Sequence, residues 1–558
     1  LLSKKLRLEK SLEFPKILKF LEGGDKMVRK LALFLLMIVL IVGSLWGGIV
    51  YSKPLVDKPV TLTFMRADSE VPPHSLTKEI PLVWQWWEEA TGITVKPVDV
   101  VLQQDYKQIF QLKAAAGQIN ADIIQMEGDN QGTYIAQYVR DGLILPLNDL
   151  IDKYAPNIKA LLKKYPEYKK ALTLPDGKIY CIGDMNVSRY QFMGFLIRKD
   201  WLDKLGLKMP NTLDDWYKTA IAFAKNDPNG NGRADEVGMM SSDGLWGLNN
   251  FGVAWDLRLC TGAGWHLREG KIGYDFIRPE AKELLKFLNK CVKDGAFPPD
   301  YNDPNLGFGS VKSRVVNGQL GIWVRMSPVL AGYLNDPEGD LKKADPKARW
   351  TAALPPLTPD GKRINVLEDI AYRGRTYAIT RKCKDPVAAI KWLDFVFASK
   401  EGREIAGYGK EGVTYKRNPD GSIERLVKFN SQDEIISGPL AGKWWGGGVT
   451  MPTITDDTAH ITQLKTWKTP QWVMNDIKAN LKYTVRSLQI PILSPEEANE
   501  VNKLVTDITT YKDEMWAKFV AGDIPITDEN FNKYVETIKN LGLDRVLQIY
   551  QSAWDRSK

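Results

Sequence analysis

With 558 residues the chain is longer than a single hydrophobic core usually fills, so two or more lobes are expected. Hydrophobic residues at 44% and charged residues at 26% are the proportions of an ordinary globular protein. The formal net charge of +8 is concentrated at the N-terminus. Residues 1–52 hold nine Lys/Arg and four Asp/Glu, the remainder balances to +3, and that balance gives no argument for a nucleic-acid partner.

Met27-Val-Arg-Lys30 precedes Leu31–Ser52, an uncharged run of 22 residues. A basic start, an apolar stretch and Val50-x-Ser52 ahead of Lys53 describe an export signal over 27–52. The run is also long enough to span a bilayer, so an uncleaved N-terminal anchor is the alternative. No cysteine lies there to accept a lipid. Residues 1–26 read as an over-extended start or a cytosolic extension. The four cysteines, Cys181, Cys260, Cys291 and Cys383, are too few for a disulfide scaffold and lack zinc-ligand spacing. One bridge and four buried thiols are both compatible with that spacing.

Pro59–Met65 alternates β-branched and apolar residues and reads as a strand. A Trp-rich helix follows over Leu82–Ala90, then a strand over Ile93–Val100, a helix over Tyr106–Ala116 and a strand over Ala121–Met126. This β-α-β-α-β order implies parallel pairing with helical crossovers. Ligands bind beyond the carboxyl ends of such strands, which places Arg66 with Asp68, and Glu127 with Asp129, near a cleft. Further strands are expected at Phe192–Ile197, Gly321–Met326 and Tyr372–Thr380, the second carrying Trp323 and Arg325 into a loop at its far end. Short helical patterns cover Trp201–Leu205 and Pro386–Ser399. Thr212-Leu-Asp-Asp215 has the form of a capping box and starts a helix running to Lys225. The C-terminal part is helical from Ala498 through Phe519 and from Asp528 to Arg556.

Residues 226–236 set oxygen-bearing side chains at alternate positions. Counting Asp227 as position 1, Asn229, Asn231 and Asp235 fall at 3, 5 and 9, Arg233 offers its carbonyl at 7, and Gly232 takes the turn at 6. Ca²⁺ is a hard cation that takes six to eight oxygens from such a loop. Gly238 stands at position 12 in place of a bidentate glutamate, and Glu236 is the expected substitute. The other reading is a polar Asn/Gly turn with no ion.

Eighteen tryptophans are well above average usage. Indole faces pack on the apolar faces of sugar rings, although most tryptophans serve cores. Trp444–Trp445, inside Gly442-Lys-Trp-Trp-Gly-Gly-Gly448, sits in a glycine-rich loop, where binding residues concentrate. The sequence has no G-x-x-x-x-G-K-[ST], H-E-x-x-H or G-x-S-x-G motif. A Ser-His-Asp arrangement or a carboxylate pair converges only in space, so a secreted polysaccharide-degrading enzyme stays as an alternative.

Several segments resemble extracellular solute-binding proteins of ATP-driven carbohydrate importers, in particular a calcium-containing branch that binds oligosaccharides. The matching pieces are Gly142-Leu-Ile-Leu-Pro-Leu-Asn-Asp149, Tyr154-Ala-Pro-Asn157, Leu174-Pro-Asp-Gly-Lys-Ile-Tyr180, Ile197–Gly206, Pro210–Trp216, Tyr534–Gly542 and Gln551–Arg556. In this order and spacing they cover essentially all of 58–558. The resemblance implies an α/β, two-lobed periplasmic-binding-protein fold with a hinge, an inter-lobe ligand cleft and a helical C-terminal part. Residues 58–180 with 371–435 are expected to form one lobe, and 181–370 with 436–558 the other.

It further implies structural Ca²⁺ on Asp227, Asn229, Asn231, Arg233, Asp235 and Glu236, outside the sugar site. Stacking platforms are expected at Trp323, Trp444 and Trp445, with Trp255 and Tyr372 as further candidates. Arg325 is expected to meet an acidic sugar, anchor a hydroxyl network or form a surface ion pair. The implied function is non-enzymatic: a monomeric periplasmic or cell-surface protein captures an oligosaccharide and delivers it to an ABC transporter permease. An oligopeptide or other non-sugar solute is the alternative ligand.

Overall fold

The computed structural model describes residues 54–68, 76–77, 80, 82–128, 132–427 and 453–558. The segment 1–52 and the loop bearing Asp129, like that bearing Trp444 and Trp445, lie outside the described residues. Leu55–Lys558 forms one unit built on two sheets.

The first sheet has six strands. β1 (Val60–Asp68) pairs in parallel with both β2 (Ile93–Leu102) and β3 (Ile123–Glu127), as the β-α-β-α-β order requires. β4 (Ile182–Asn186), the long β12 (Ala371–Ile379) and β15 (Ile454–Thr455) complete it in the order β15-β4-β12-β3-β1-β2. Alternate residues of β1 enter different cores: Leu62 and Phe64 face one, Met65 and Ala67 the other. That period of two, apolar on both faces, is why helices cover both sides.

The second sheet holds β5 (Gly194–Arg198), β6 (Val237–Ser241), β9 (Leu320–Met326) and β10 (Trp350–Ala353) in the order β10-β5-β9-β6. Its faces divide in the same way, Phe195 and Ile197 towards one core and Leu196 towards the other. Small ribbons are formed by β7 (Trp265–Arg268) with β8 (Lys271–Tyr274), and by β13 (Tyr415–Arg417) with β14 (Ile423–Arg425). Thr212 caps the helix Leu213–Lys225 through the reciprocal box with Asp215, as its spacing predicts. The C-terminal pattern resolves into helices Pro495–Ala521, Asp528–Asn540 and Leu543–Arg556. The break in the expected 528–556 run falls at Gly542, whose φ of 102° no L-residue adopts readily. Cys181, Cys260, Cys291 and Cys383 are all buried free thiols.

Between the sheets the chain crosses as a hydrogen-bonded ribbon. Residues 187–193 lead from β4 to β5, residues 354–370 lead from β10 back to β12, and β11 (Asn365–Leu367) in that return pairs in parallel with β16 (Thr484–Arg486). Glu368 N donates to Gln191 O and Asn186 N to Ile370 O, so the first two crossings are laced together. Arg486 ties all three, donating from Nη1 to Asn186 O at 2.9 Å and Glu368 O at 3.1 Å. The sequence division at 180/181 falls before β4, and β15 lies beyond 436, yet both strands pair within the six-stranded sheet.

Beside the ribbon, Ser188, His460 and Asp457 meet. Ser188 Oγ donates to Asp457 Oδ1 at 3.1 Å and lies 2.7 Å from His460 Nδ1. The residue types match a hydrolytic triad but the connectivity does not, because the carboxylate takes the serine proton and orients no imidazole nitrogen. Ser188 is also fully buried. The trio is a clamp between crossing segments.

Burial holds the His460 imidazole neutral, pulling its pKa down to about 4. The unfolded chain therefore binds a proton that the native state refuses between about pH 6.5 and pH 4, and stability falls as pH drops through that window. Asp184, which burial pushes up to about 6, acts in the opposite sense. His460→Gln keeps a polar partner for Ser188 without titrating. Urea unfolding at pH 7 and pH 5 is expected to show wild type losing about 2 kcal/mol more than the variant. Equal losses would contradict the clamp.

Candidate binding cleft

The ends of the two sheets face a common gap. From the first sheet come the carboxyl ends of β1, β3 and β4 and the opening residues of the antiparallel β12. From the second come the segment after β6, which carries Asp243 and Trp246, and the end of β9 with Arg325. A cavity of about 350 Å³ between them is lined by Asn186, Glu368, Asp369 and Tyr372 on one side and by Trp246 and Arg325 on the other.

Two bulges aim residues into this gap. In β9 the pairing with β5 shifts so that Gly194 faces Met326 and Phe195 faces Val324. Arg325 is the extra residue, with φ at 62°. In β12, Tyr372 pairs with Asp184 and Thr376 with Gly183, leaving Arg373, Gly374 and Arg375 without partners in β4. An unpaired residue in a strand bends it and redirects its side chain.

The charges are densely paired. Arg325 donates to Asp243 Oδ2 at 2.8 Å and lies with its guanidinium 4.0 Å from the ring centre of Trp246, a cation–π geometry. Its Nε is buried without an acceptor. Arg373 is fully buried and donates to the carbonyl of Ile490 at 2.8 Å. Glu127 accepts from Gln125 at 2.6 Å and Gln103 at 2.8 Å, with Arg375 Nε 3.6 Å away. Burial raises the Glu368 carboxyl above its usual range, although Gln191 donates to it at 2.9 Å. Asp184 is likewise raised by burial, against the N–H of Thr453 at 2.7 Å.

Of the residues singled out in sequence, Arg325 and Tyr372 line the cavity, and Glu127 stands at the end of β3 among its amide donors. Trp255 is partly buried against the second sheet's core. Trp323 lies within β9, not in a loop beyond it, because the strand continues to Met326. Alternation turns its ring away from Ile322 and Val324 into the opposite core, where Phe308 is 5.3 Å away and Nε1 donates to Ser242 at 2.9 Å. It is fully buried and offers no surface to a ligand in this conformation. Arg66 is also fully buried, its guanidinium 5.3 Å from the Trp84 ring. Trp444, Trp445 and Asp129 are outside the described residues.

Trp246 was not anticipated. Asp243-Gly-Leu-Trp-Gly-Leu248 follows the end of a strand and flanks a tryptophan with glycines, the same signal that drew attention to Trp444. The residue is 40% exposed, whereas most of the described tryptophans are buried.

The 227–236 loop precedes β6 and bonds to Gly318 and Gln319 ahead of β9, at the ends of these parallel strands opposite to Asp243 and Arg325. Asp227 accepts from the N–H groups of Gly230 and Asn231 through Oδ1 and of Gly232 through Oδ2, at 2.8–3.0 Å. Asn231 Nδ2 and Gln319 Nε2 each donate to Asp235 at 3.2 Å. Among the described residues no group of three His, Cys, Asp or Glu side chains is gathered to hold a metal. Glu236 is buried, and its Oε1 has no hydrogen-bond donor. Gly238, at position 12, is the second residue of β6 and packs against the preceding helix, where a Cβ would lie 2.2 Å from Ala220 O. No side-chain ligand fits at that position.

Comparison with known proteins agrees with this architecture. FusA of Streptococcus pneumoniae serotype 4, a fructooligosaccharide ABC transporter substrate-binding protein, is 26% identical over 90% of this chain and 91% of its own length. The polygalacturonan/rhamnogalacturonan-binding protein YtcQ of Bacillus subtilis is 25% identical over 84% of this chain and 88% of its own. The crystal structure of alginate-binding protein AlgQ2 without calcium ion superposes with a TM-score of 0.71 at 25% identity, covering 90% of this chain and 99% of that one. An EF-hand mutant of FusA shares the fold, with a TM-score of 0.67. The sequence model described as bacterial extracellular solute-binding protein matches residues 73–403, more than half of the chain. Two sheets joined by a three-segment ribbon, a cleft lined from both, and that match together place this chain in the bacterial extracellular solute-binding protein family.

Proposed function

We propose that this protein captures an oligosaccharide outside the cytoplasm and delivers it to the permease of an ABC importer. The observation that carries the reading is a single cavity into which one lobe contributes Tyr372 and the other Trp246. Both residues are partly exposed, at 42% and 40%, and the half-buried carboxylates of Glu368 and Asp369 line the same cavity. Aromatic faces meet the apolar faces of sugar rings, and carboxylates accept from hydroxyl groups. The named ligands of the relatives are sugars, which supports the same ligand class here. The protein acts as a monomer and performs no chemistry on what it binds. The segment 27–52 directs its export. Trp444, Trp445 and Asp129 are proposed to contact the ligand.

Titration with fructo-oligosaccharides and oligogalacturonides, followed by tryptophan fluorescence, tests the reading. Trp246→Ala and Tyr372→Ala are each expected to weaken binding by up to about tenfold, since a stacked ring contributes about 0.5–1.5 kcal/mol beyond the area it buries. Their melting temperatures should change little, because both residues are partly exposed. Unchanged dissociation constants in both variants would remove these rings from the site. Trp444→Ala and Trp445→Ala are expected to weaken binding more than folding.

The same proposal includes structural Ca²⁺ in the 227–236 loop. The donors are all oxygen, from Asp227, Asn229, Asn231, the Arg233 carbonyl, Asp235 and Glu236, which suits a hard cation. The orphaned Glu236 Oε1 supports it, as does the raised Glu236 carboxyl, destabilised by burial and by the charges of Asp227 and Asp235. The ion would neutralise three carboxylates and stiffen the junction of the helix Leu213–Lys225 with β6. Calcium bound only to the native state raises its melting temperature by mass action. Excess chelator should therefore lower it by several degrees, and Glu236→Gln should remove most of that dependence. Identical melting curves with calcium and with chelator would dismiss the ion.

A further inference from the structure

A second cavity of about 350 Å³ lies against the helix Pro495–Ala521 and shares Trp246 and Ala263 with the first. Its volume falls within the roughly 300–1,000 Å³ typical of small-ligand sites. The walls combine aromatic rings, Tyr274, Phe276 and Trp516, with polar groups from Asn249 and Lys512. Asn249 is only 4% exposed, and its Oδ1 has no hydrogen-bond donor. A buried carbonyl oxygen left in that state costs free energy that a ligand hydroxyl would recover.

Fixed positive charge at the cavities is already engaged: Arg373, fully buried at the edge of the first, donates to the carbonyl oxygens of Ala171 and Ile490. Lys512 donates to Asp513 and lies 4.4 Å from the Phe276 ring centre, and Arg325 is held by Asp243. Among the described lining residues, acidic groups remain beyond those pairs: Glu368 and Asp369 in the first cavity. An anionic sugar would have to displace an internal carboxylate, whereas an uncharged one finds acceptors waiting.

We propose that the cavity behind Trp246 is a second subsite of the cleft, taking a further uncharged, hydroxyl-rich sugar unit, with Asn249 Oδ1 accepting one of its hydroxyls. Trp246 and Ala263 form the partition that the chain of sugars passes. The inference rests on the oligosaccharide reading above and specifies the length and charge of the ligand.

The experiment compares neutral fructo-oligosaccharides of two to five units, and oligogalacturonides of the same lengths, by calorimetric titration. Wild type, Thr509→Trp and Asn249→Ala are used. Thr509 lines the second cavity from an exposed helical position, so a tryptophan there fills the space without entering the core. Wild-type affinity should rise with length for the neutral series. Both variants should lose about tenfold for the longer members while binding the shortest ligand as wild type does. Thermal melting checks that Asn249→Ala folds, and Thr509→Trp carries the test if it does not.

If wild type binds these sugars and Thr509→Trp keeps the same dependence on length, the second subsite is overturned while the oligosaccharide reading stands. Tighter binding of the galacturonides, weakened by Thr509→Trp, would overturn the uncharged class. If wild type binds no oligosaccharide, the reading beneath the inference fails and takes the inference with it.

Discussion

Everything in this molecule that concerns a ligand depends on the three crossings laced together between the sheets. Arg486 gathers two carbonyls from different crossings, Asn186 and Glu368, onto one guanidinium nitrogen. Backbone pairing through β11 and β16 extends that lacing. A narrow ribbon of this kind resists stretching, because its hydrogen bonds lie in its plane, but bends across that plane. It fixes which strand ends face each other and leaves the gap between them as the soft coordinate. Glu368 and Asp369 belong to the ribbon itself, so a ligand touching them touches the hinge.

The cleft is furnished by departures from regular pairing. Arg325 occupies a left-handed backbone conformation that costs about 1–3 kcal/mol for a residue with a side chain. The Asp243 ion pair and the Trp246 ring hold it there from the segment after β6. The bulge in β12 has the same consequence on the opposite lobe, where it frees three residues, two of them arginines, from the ladder with β4. Both bulges thus fall where the sheets meet the gap.

Electrostatics separates the cleft from the 227–236 loop, although both are rich in carboxylates. In the cleft, Asp184 and Glu368 are raised by burial and have amide or backbone donors at hand. Such groups gain from a hydroxyl donor and need no cation. In the loop, Glu236 is raised by burial and by two neighbouring carboxylates, while one of its oxygens lacks a donor. That combination is the one on which the proposed ion would act. Two clusters of similar composition therefore suit different partners.

The parallel β1–β3 arrangement, the capped helix after Thr212 and most element positions were legible in the sequence, because they rest on local periodicity and on end signals a few residues long. The loop after Asp227 was legible as an oxygen-rich turn for the same reason. Local signals could not decide which face of β9 Trp323 takes, since that depends on register with β5 and β6. They mark Trp246 only as a glycine-flanked tryptophan; its place in the cleft depends on Arg325, which strand pairing brings beside it from far along the chain. The assignment of β4 and β15 to the first sheet likewise rests on pairings made across long separations. The sequence by itself determined the element types, the two-lobed class and the family, which are carried by periodicity and by motif order. Only the tertiary structure decided which side chains share the cavity, because burial, register and bulges are properties of paired strands that a single strand does not possess.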